Sequence, residues 1–367
     1  MAVPDDVDAP FDAYCARTRE LTGKRVCEWE TWNTEASADA IHHFALGTDD
    51  DNPLWLDADY AGQTTNGSIV APPCFLTSVS YPILHGAGME PPLTSLIGGL
   101  EIEWFAPIRL GDRLSVNPVQ KDFYEKRNKA DRRLGFVISE VGYRNQDEAL
   151  VGRATGTLII MGAAGEQPSV HTPVQRYSSE EIAALDAAMA SETRTGGGAF
   201  HFEDVAVGDA VPPIVRGPFT VGDLVCWYAA AGPGWRPGRL GRIELNESPH
   251  LATANPLTGV PVKYPQKHLE FDLAQDSGLA GPFDNGVMRF ATAAPMITNW
   301  MGDHGFLKRF RLRIERSVIY GDVVTYSASV AATDAALATV SLDVRGVDQR
   351  GERVASGAAD VILPRRA

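Results

Sequence analysis

No stretch of this chain approaches the roughly 18 consecutive apolar residues that a membrane-spanning helix needs, so no membrane partner is expected. The opening residues, MAVPDDVDAPFDAYC, are acidic where a secretory leader is basic and then apolar, which makes a cytoplasmic location the expectation. Cysteine is scarce: Cys15, Cys27, Cys74 and Cys226 show no CxxC spacing, which argues against a zinc site or a disulfide framework and leaves them as small core residues. The pair His42-His43 lacks the spaced partners of a metal site. There is no Gly-rich phosphate loop and no dinucleotide fingerprint, so no cofactor is expected. Cations are outnumbered, with 33 Lys and Arg against 47 Asp and Glu and a net charge of −14. That balance disfavours nucleic acid, whose phosphates require clustered basic side chains.

What is present is the composition of a compact globular protein, 44% apolar and 22% charged. A length of 367 residues suggests two domains, each large enough for a core of its own. An internal repeat supports this division. FAPIRLGDRLSV at 105–116 and ERSVIYGDVVTY at 315–326 share one form, a strand, a Gly-Asp turn and a new strand. Gly111-Asp112 and Gly321-Asp322 are the matched turns, in which glycine supplies backbone freedom and Asp can bond back to the turn amides.

After each turn come alternating, β-branched segments: RLSVNPVQKDFYE, RLGFVISEVGYRN and ALVGRATGTLIIM, then VVTYSASVAAT, ALATVSLDVRGVD and RVASGAADVIL. Period-two alternation marks antiparallel strands with one face buried. Before each turn lies a less polar segment, FLTSVSYPILHGAG in one half and RFATAAPMITNWMGDHG in the other, each predicting a mostly buried helix despite Pro82 and Pro295. The expected class is therefore α+β, two fused hot-dog domains in which an antiparallel sheet wraps a central helix, paired as a pseudo-dimer. The expected boundaries are 1–161, a linker at 162–200 with a Ser-capped helix starting near Ser178 or Ser179, and 201–367.

FALGTDDDNPLWLDADYA at 44–61 and HLEFDLAQDSGLAGPFDNGVM at 268–288 resemble the MaoC-like hydratases and dehydratases, and the first half resembles a degenerate repeat of fatty-acid-synthase dehydratase type. The family pattern reads roughly FAxxxGDxNPxHxDxxYA and is followed by a turn into the central helix. The resemblance implies an Asp and a His five residues later beside the acyl chain, with an amide at the helix start stabilising the thioester oxyanion. A thioester α-proton requires such a base, and the enolate requires preorganised donors.

By that resemblance Asp50 stands at the acid position, Asn52 follows it, and Trp55 replaces the His, so the first half reads as a binding or structural copy with Asn52 and Trp55 as substrate-contacting candidates. In the second half His268 is kept, Glu270 follows two residues on, and Asn285-Gly286 opens the helix. His268 is the candidate general base or acid and Gly286 the candidate oxyanion donor, or else a glycine needed for a tight turn. Asn285 is a further donor or the helix cap. The acid five residues before His268 is replaced by Lys263. The expected Gly-Asp is Gly232-Pro233, and 30 residues, GWRPGRLGRIELNESPHLATANPLTGVPVK, intervene. The partner of His268 is open among Glu270, Glu244 or Glu247 of that insertion, and Asp50. Trp227, Trp235 and Trp300 read as core or tunnel wall, and KRFRLR at 308–313 as a solvated strand face or a contact for coenzyme A phosphates.

The function implied is reversible addition or elimination of water on a bulky or branched acyl thioester, on coenzyme A or a carrier protein. A non-catalytic thioester-binding protein or partner subunit is the alternative, and a related elimination or cyclisation in a specialised pathway a second one. Paired hot-dog units often assemble further, so a homo-oligomer is compatible with the resemblance.

Overall fold

The computed structural model describes residues 8–89, 93–162, 173–198, 200–232, 236, 238–249 and 252–366. The first half runs through α1 (Ala9–Glu20), α2 (Ala38–Gly47), α3 (Pro53–Leu56), α4 (Ala58–Gly62) and α5 (Leu76–Val79). Four strands follow, β1 (Thr94–Trp104), β2 (Ser115–Arg127), β3 (Arg133–Arg144) and β4 (Leu150–Met161). After α6 (Ser179–Ala190), capped by Ser178 and Glu181 in a reciprocal capping box, come β5 (Ala210–Arg216), α7 (Val221–Ala231), α8 (Gly238–Glu247), the short pair β6 (Ala252–Ala254) and β7 (Pro261–Lys263), and α9 (Phe271–Asp276). The 16-residue α10 (Gly286–Met301) leads into β8 (Phe306–Ile314), β9 (Val324–Asp334), β10 (Thr339–Asp348) and β11 (Arg353–Ile362).

The long strands form one nine-stranded sheet in the order β2-β3-β4-β1-β8-β11-β10-β9-β5. Each half contributes the same succession, and the halves join where Gly99–Glu103 of β1 pairs antiparallel with Arg313–Arg309 of β8. Burial alternates along β3 and β10, as their period-two sequences require. At the far edge of the first half a bridge between Arg25 and Val119 occupies the position that β5 takes beside β9 in the second.

The repeat extends to side chains. Asp112 accepts the Arg109 N–H at 2.8 Å and Asp322 the Ile319 N–H at 2.9 Å, each closing its Gly-Asp turn. Gly111 and Gly321 both have φ +87°, where an L side chain would be strained. Gln146 and Gln349 then play one role: each side-chain amide donates to the turn Asp, at 3.1 and 2.9 Å, and accepts the next backbone N–H, at 3.0 and 2.9 Å. The halves also meet through α2 and α7, which cross so closely that a Cβ on Gly47 would lie 2.4 Å from that of Ala230.

The central helices are not equivalent. In the second half α10 is helical for its whole length with Pro295 inside it, and packs on the sheet through Phe290 stacked against Phe310 at 4.5 Å. In the first half the expected helix is cut short: a 3-10 turn at Pro73–Phe75 and α5 end at Val79, and Ser80 is extended. Pro82 disfavours a helical Tyr81, and beyond it Gly86 and Gly88 adopt φ of +76° and +77°, so the chain cannot resume the helix. Side chains satisfy the freed carbonyls: Tyr143 bonds to Ser80, Ser139 to Pro82, Trp29 to Ile83 and Tyr14 to His85, all within 3.0 Å.

Candidate active site

The start of α10 is held by the strand opposite it. Phe283 bridges to Ile319, Asp284 donates its N–H to the Val318 carbonyl at 2.9 Å, and Tyr320 donates to Pro282 at 2.8 Å. Asn285 caps the helix, its Oδ1 accepting from the N–H groups of Val287 at 2.9 Å and Met288 at 3.4 Å. Gly286 is the first helical residue, and among the described residues no acceptor takes its N–H. This amide therefore sits at the positive end of a four-turn helix. Gly286 also packs closely on β1, since a Cβ there would stand 3.0 Å from Ile97 and one of the two would have to shift.

His268 closes a 3-10 turn (Tyr264–His268) on the other side of Phe283. Its Nδ1 lies 2.9 Å from the Phe283 carbonyl, so Nδ1 carries the proton and Nε2 the lone pair. The imidazole also packs on the Phe283 ring at 4.0 Å. Although the residue as a whole is half-buried, burial of the ring pushes its pKa down to about 4, and Lys267 adds to this against the opposing carbonyls of Phe283 and Asp284. The imidazole is neutral at ordinary pH.

The other predicted residues are placed differently. Glu270 does not orient His268: its carboxylate accepts from Asn255 of the insertion, at 2.6 Å, and from Gln266. Glu244 of α8 is ion-paired at 2.6 Å with Lys263, the residue at the expected acid position, and its second oxygen is buried with no hydrogen-bond partner among the described residues. The group that His268 Nδ1 meets is the Phe283 carbonyl, which side-chain motifs do not reveal, and not Glu270. Asp50 and His268 are not brought together either. Asp50 is buried next to its own Asn52 N–H at 3.2 Å, near Trp55, Cys74, Arg194 and Arg216. Asn52 is occupied as the cap of α3, accepting from Leu54 at 3.0 Å, and Trp55 is core, its indole N–H buried beside Asp50 without a well-formed partner. Trp227 is core as well, edge-on to Phe44, and Trp300 packs edge-on to Phe200, whereas Trp235 and Pro233 lie outside the described residues.

Burial raises the Asp50 carboxyl to about 6 from an ordinary 3.8, against the lowering effect of Asn52, Trp55 and the two arginines. A carboxyl whose folded pKa is raised favours the fold while protonated; that stability is present below the unfolded pKa and is lost as pH rises through about 6. The Asp50→Asn variant is thus expected to match the parent at pH 4 and to exceed its unfolding free energy at pH 7.5 by on the order of 2–3 kcal/mol. Urea denaturation at the two pH values checks this; an equal change at both would show that Asp50 is not titrating in the fold.

The basic run at 308–313 lies on β8 with Phe310 and Leu312 buried and Arg309, Arg311 and Arg313 exposed, on the sheet face opposite α10. Lys308 pairs with Glu103 and Arg309 with Asp360. This is a solvated strand face. A depression of about 410 Å³ lies beside Pro173, Val174, Gln275 and Ala280, with no acid, base or nucleophile among these lining residues. Among the described residues no group of His, Cys, Asp and Glu could hold a metal ion, and no helix is long and apolar enough to cross a membrane.

Comparison with known proteins agrees with this architecture. Over 93% of this chain and 98% of its own, a solved MaoC-like dehydratase superposes with a TM-score of 0.63 at 16% identity. A MaoC-like dehydratase from Phytophthora capsici gives 0.53 at 11%, covering 96% of this chain and 99% of that one. A conserved protein from Mycobacterium tuberculosis with a double hotdog fold gives 0.51 at 10%, covering 94% and 98%. The chain is a double hot-dog protein. Residues 21–153 of this double hot-dog match the family described as FAS1-like, dehydratase domain region. Two curated relatives, UPF0336 proteins from Streptomyces griseus and Streptomyces coelicolor, are 29% identical over 87 residues and 31% over 88, each match covering 22% of this chain. The chain spans 58% of the length of these relatives. The family match falls on the half in which Trp55 stands in place of the His.

Two further residues complete the surroundings of α10, and no motif pointed to them. Tyr81, in the extended segment after α5, donates its hydroxyl to Asn285 Oδ1 at 3.1 Å. Tyr228 of α7 reaches the same Asn285. Their only sequence signal is that each lies within a few residues of a helix-breaking Pro or Gly.

Proposed function

We propose that the double hot-dog is a hydro-lyase that adds water to, or eliminates it from, a bulky or branched acyl thioester, with its reactive centre in the second half. The observation that supports this reading is that a neutral His268 is bonded to the Phe283 carbonyl, three residues before Gly286, whose N–H meets no acceptor among the described residues. In the eliminating direction the thioester oxygen accepts from Gly286, His268 Nε2 takes the α-proton, and the enolate collapses with cleavage of the β C–O bond. The same proton then passes from Nε2 to the departing hydroxyl, and water leaves with the enoyl thioester. With a pKa near 4 the imidazolium gives its proton up readily in that return transfer, while the neutral ring is a correspondingly weak base in the first step. The helix terminus and the amide are fixed before reaction, so they stabilise developing charge without reorganisation.

The first half contributes a closely packed, asymmetric partner and leaves the acyl tail room to be bulky, an argument from analogy with fused pairs. A second reading, a non-catalytic thioester-binding or partner subunit, is favoured by one observation: Lys263, ion-paired to Glu244, stands where the acid is expected. Absorbance at the enoyl-thioester band, with straight, branched and ring-bearing enoyl-CoA compounds, separates the two. Hydration of a panel member is expected; saturable binding with no hydration of any of them would give the second reading.

A further inference from the structure

The truncation of the first central helix has a consequence at the second half's site. Because the chain leaves the helix at Ser80, Tyr81 is carried across to the start of α10, where its hydroxyl meets Asn285 at 3.1 Å. Its ring is held there by Trp29, edge-on at 5.5 Å, whose own N–H is tied to the Ile83 carbonyl at 2.7 Å. Tyr228 arrives from the opposite direction, one turn before α7 ends at Gly232 in the left-handed conformation. Two hydroxyls, one from each half, thus converge on the residue preceding the unoccupied Gly286 amide. Both residues are half-buried overall, while their phenol groups lie in buried surroundings beside Asn285.

We propose, resting on the hydro-lyase reading, that Tyr81 and Tyr228 are catalytic hydrogen-bond donors to the thioester carbonyl oxygen, completing with Gly286 an oxyanion site built from both halves. No proton is transferred: each hydroxyl donates to the substrate oxygen, Tyr81 turning from Asn285 Oδ1 to do so, and strengthens its bond as the enolate forms. Burial raises both phenols, first by desolvation, so they remain protonated donors across the working pH range. The arrangement gives the substrate oxygen side-chain donors in a site whose expected acid is a lysine, and it makes the degenerate half necessary for activity.

The test uses the full chain and 4-(dimethylamino)cinnamoyl-CoA, whose absorption shifts to the red when its carbonyl is polarised. The parent and His268→Ala are expected to bind this thioester with the same red shift, whereas Tyr81→Phe and Tyr228→Phe each reduce the shift and lower kcat for hydration by about 10²-fold with little change in KM. A double Phe variant with parental kcat and a full red shift would overturn the proposal. If a Phe variant fails to fold, 3-fluorotyrosine at position 81 replaces it: the stronger donor must deepen the shift, and an unchanged spectrum overturns the proposal. Failure of the parent to bind the probe or hydrate any enoyl-CoA would instead remove the hydro-lyase reading itself, and this inference with it.

Discussion

Replacement of His268 by alanine is expected to lower kcat for hydration by about 10²- to 10⁴-fold, the range over which a positioned acid-base group acts. The unfolding transition should move far less, because the lost hydrogen bond ends at a backbone carbonyl that water can reach through the vacated space. The pH profile supplies the second signature. On the proposed reading catalysis requires a neutral Nε2, and burial sets that ionisation near 4, so kcat/KM should be level between pH 5 and 8 and fall as pH drops through about 4. An acid limb near the ordinary histidine value of 6.5 would mean that the imidazole titrates in water and that another group serves as base.

Arg289→Met is expected to cost about 3–5 kcal/mol of unfolding free energy, the usual effect of removing one partner from a buried ion pair. Arg289 of α10 is 2% exposed and donates through Nε to Asp284 at 2.6 Å, with further bonds to Asp284 and to the carbonyls of Arg316 and Val354. Its loss would leave the buried Asp284 carboxylate without its cation. Asp284 also accepts the Val318 N–H at 3.2 Å, so the pair locks the strand to the helix start on which Gly286 and Phe283 depend. The double variant Asp284→Leu with Arg289→Met should recover much of the stability, since the charge is removed together with its partner. Chemical denaturation of the two single variants and the double variant measures this; a double variant no better than the singles would show that the pair acts through geometry, not charge.

How much of this was legible in the chain depends on the range of the interaction. The strands and the Gly-Asp turns were, because alternation and turn chemistry are properties of adjacent residues. The 210-residue offset between Asp112 and Asp322 already implied a duplicated unit. The Ser178 cap with Glu181 was similarly local. The spacing of His268 to Ala274 and Gly278 and the turn into α10 are continuous in sequence for the same reason.

The unequal fate of the two central helices was only half visible. Pro82 and Pro295 look alike in the chain, and both helices were expected to survive. Pro295 is tolerated because α10 is buried along nearly its whole length, while after Pro82 two left-handed glycines and four side-chain donors from elsewhere in the chain stabilise an extended path. The site depended on tertiary structure still more. Glu270 sits two residues from His268 but bonds to Asn255 and Gln266, and the imidazole takes a backbone carbonyl 15 residues away. Asp50 shares the motif with His268 but not its surroundings.

The chain by itself therefore determined the class of fold, its duplication and the turn that opens α10, because periodicity, turns and caps act over a few residues. Tertiary structure alone decided the partner of each polar group, and it brought Tyr81 from one half beside Tyr228 and Asn285 of the other. A buried donor takes whichever acceptor the packing places within about 3 Å, and sequence distance carries no information about that.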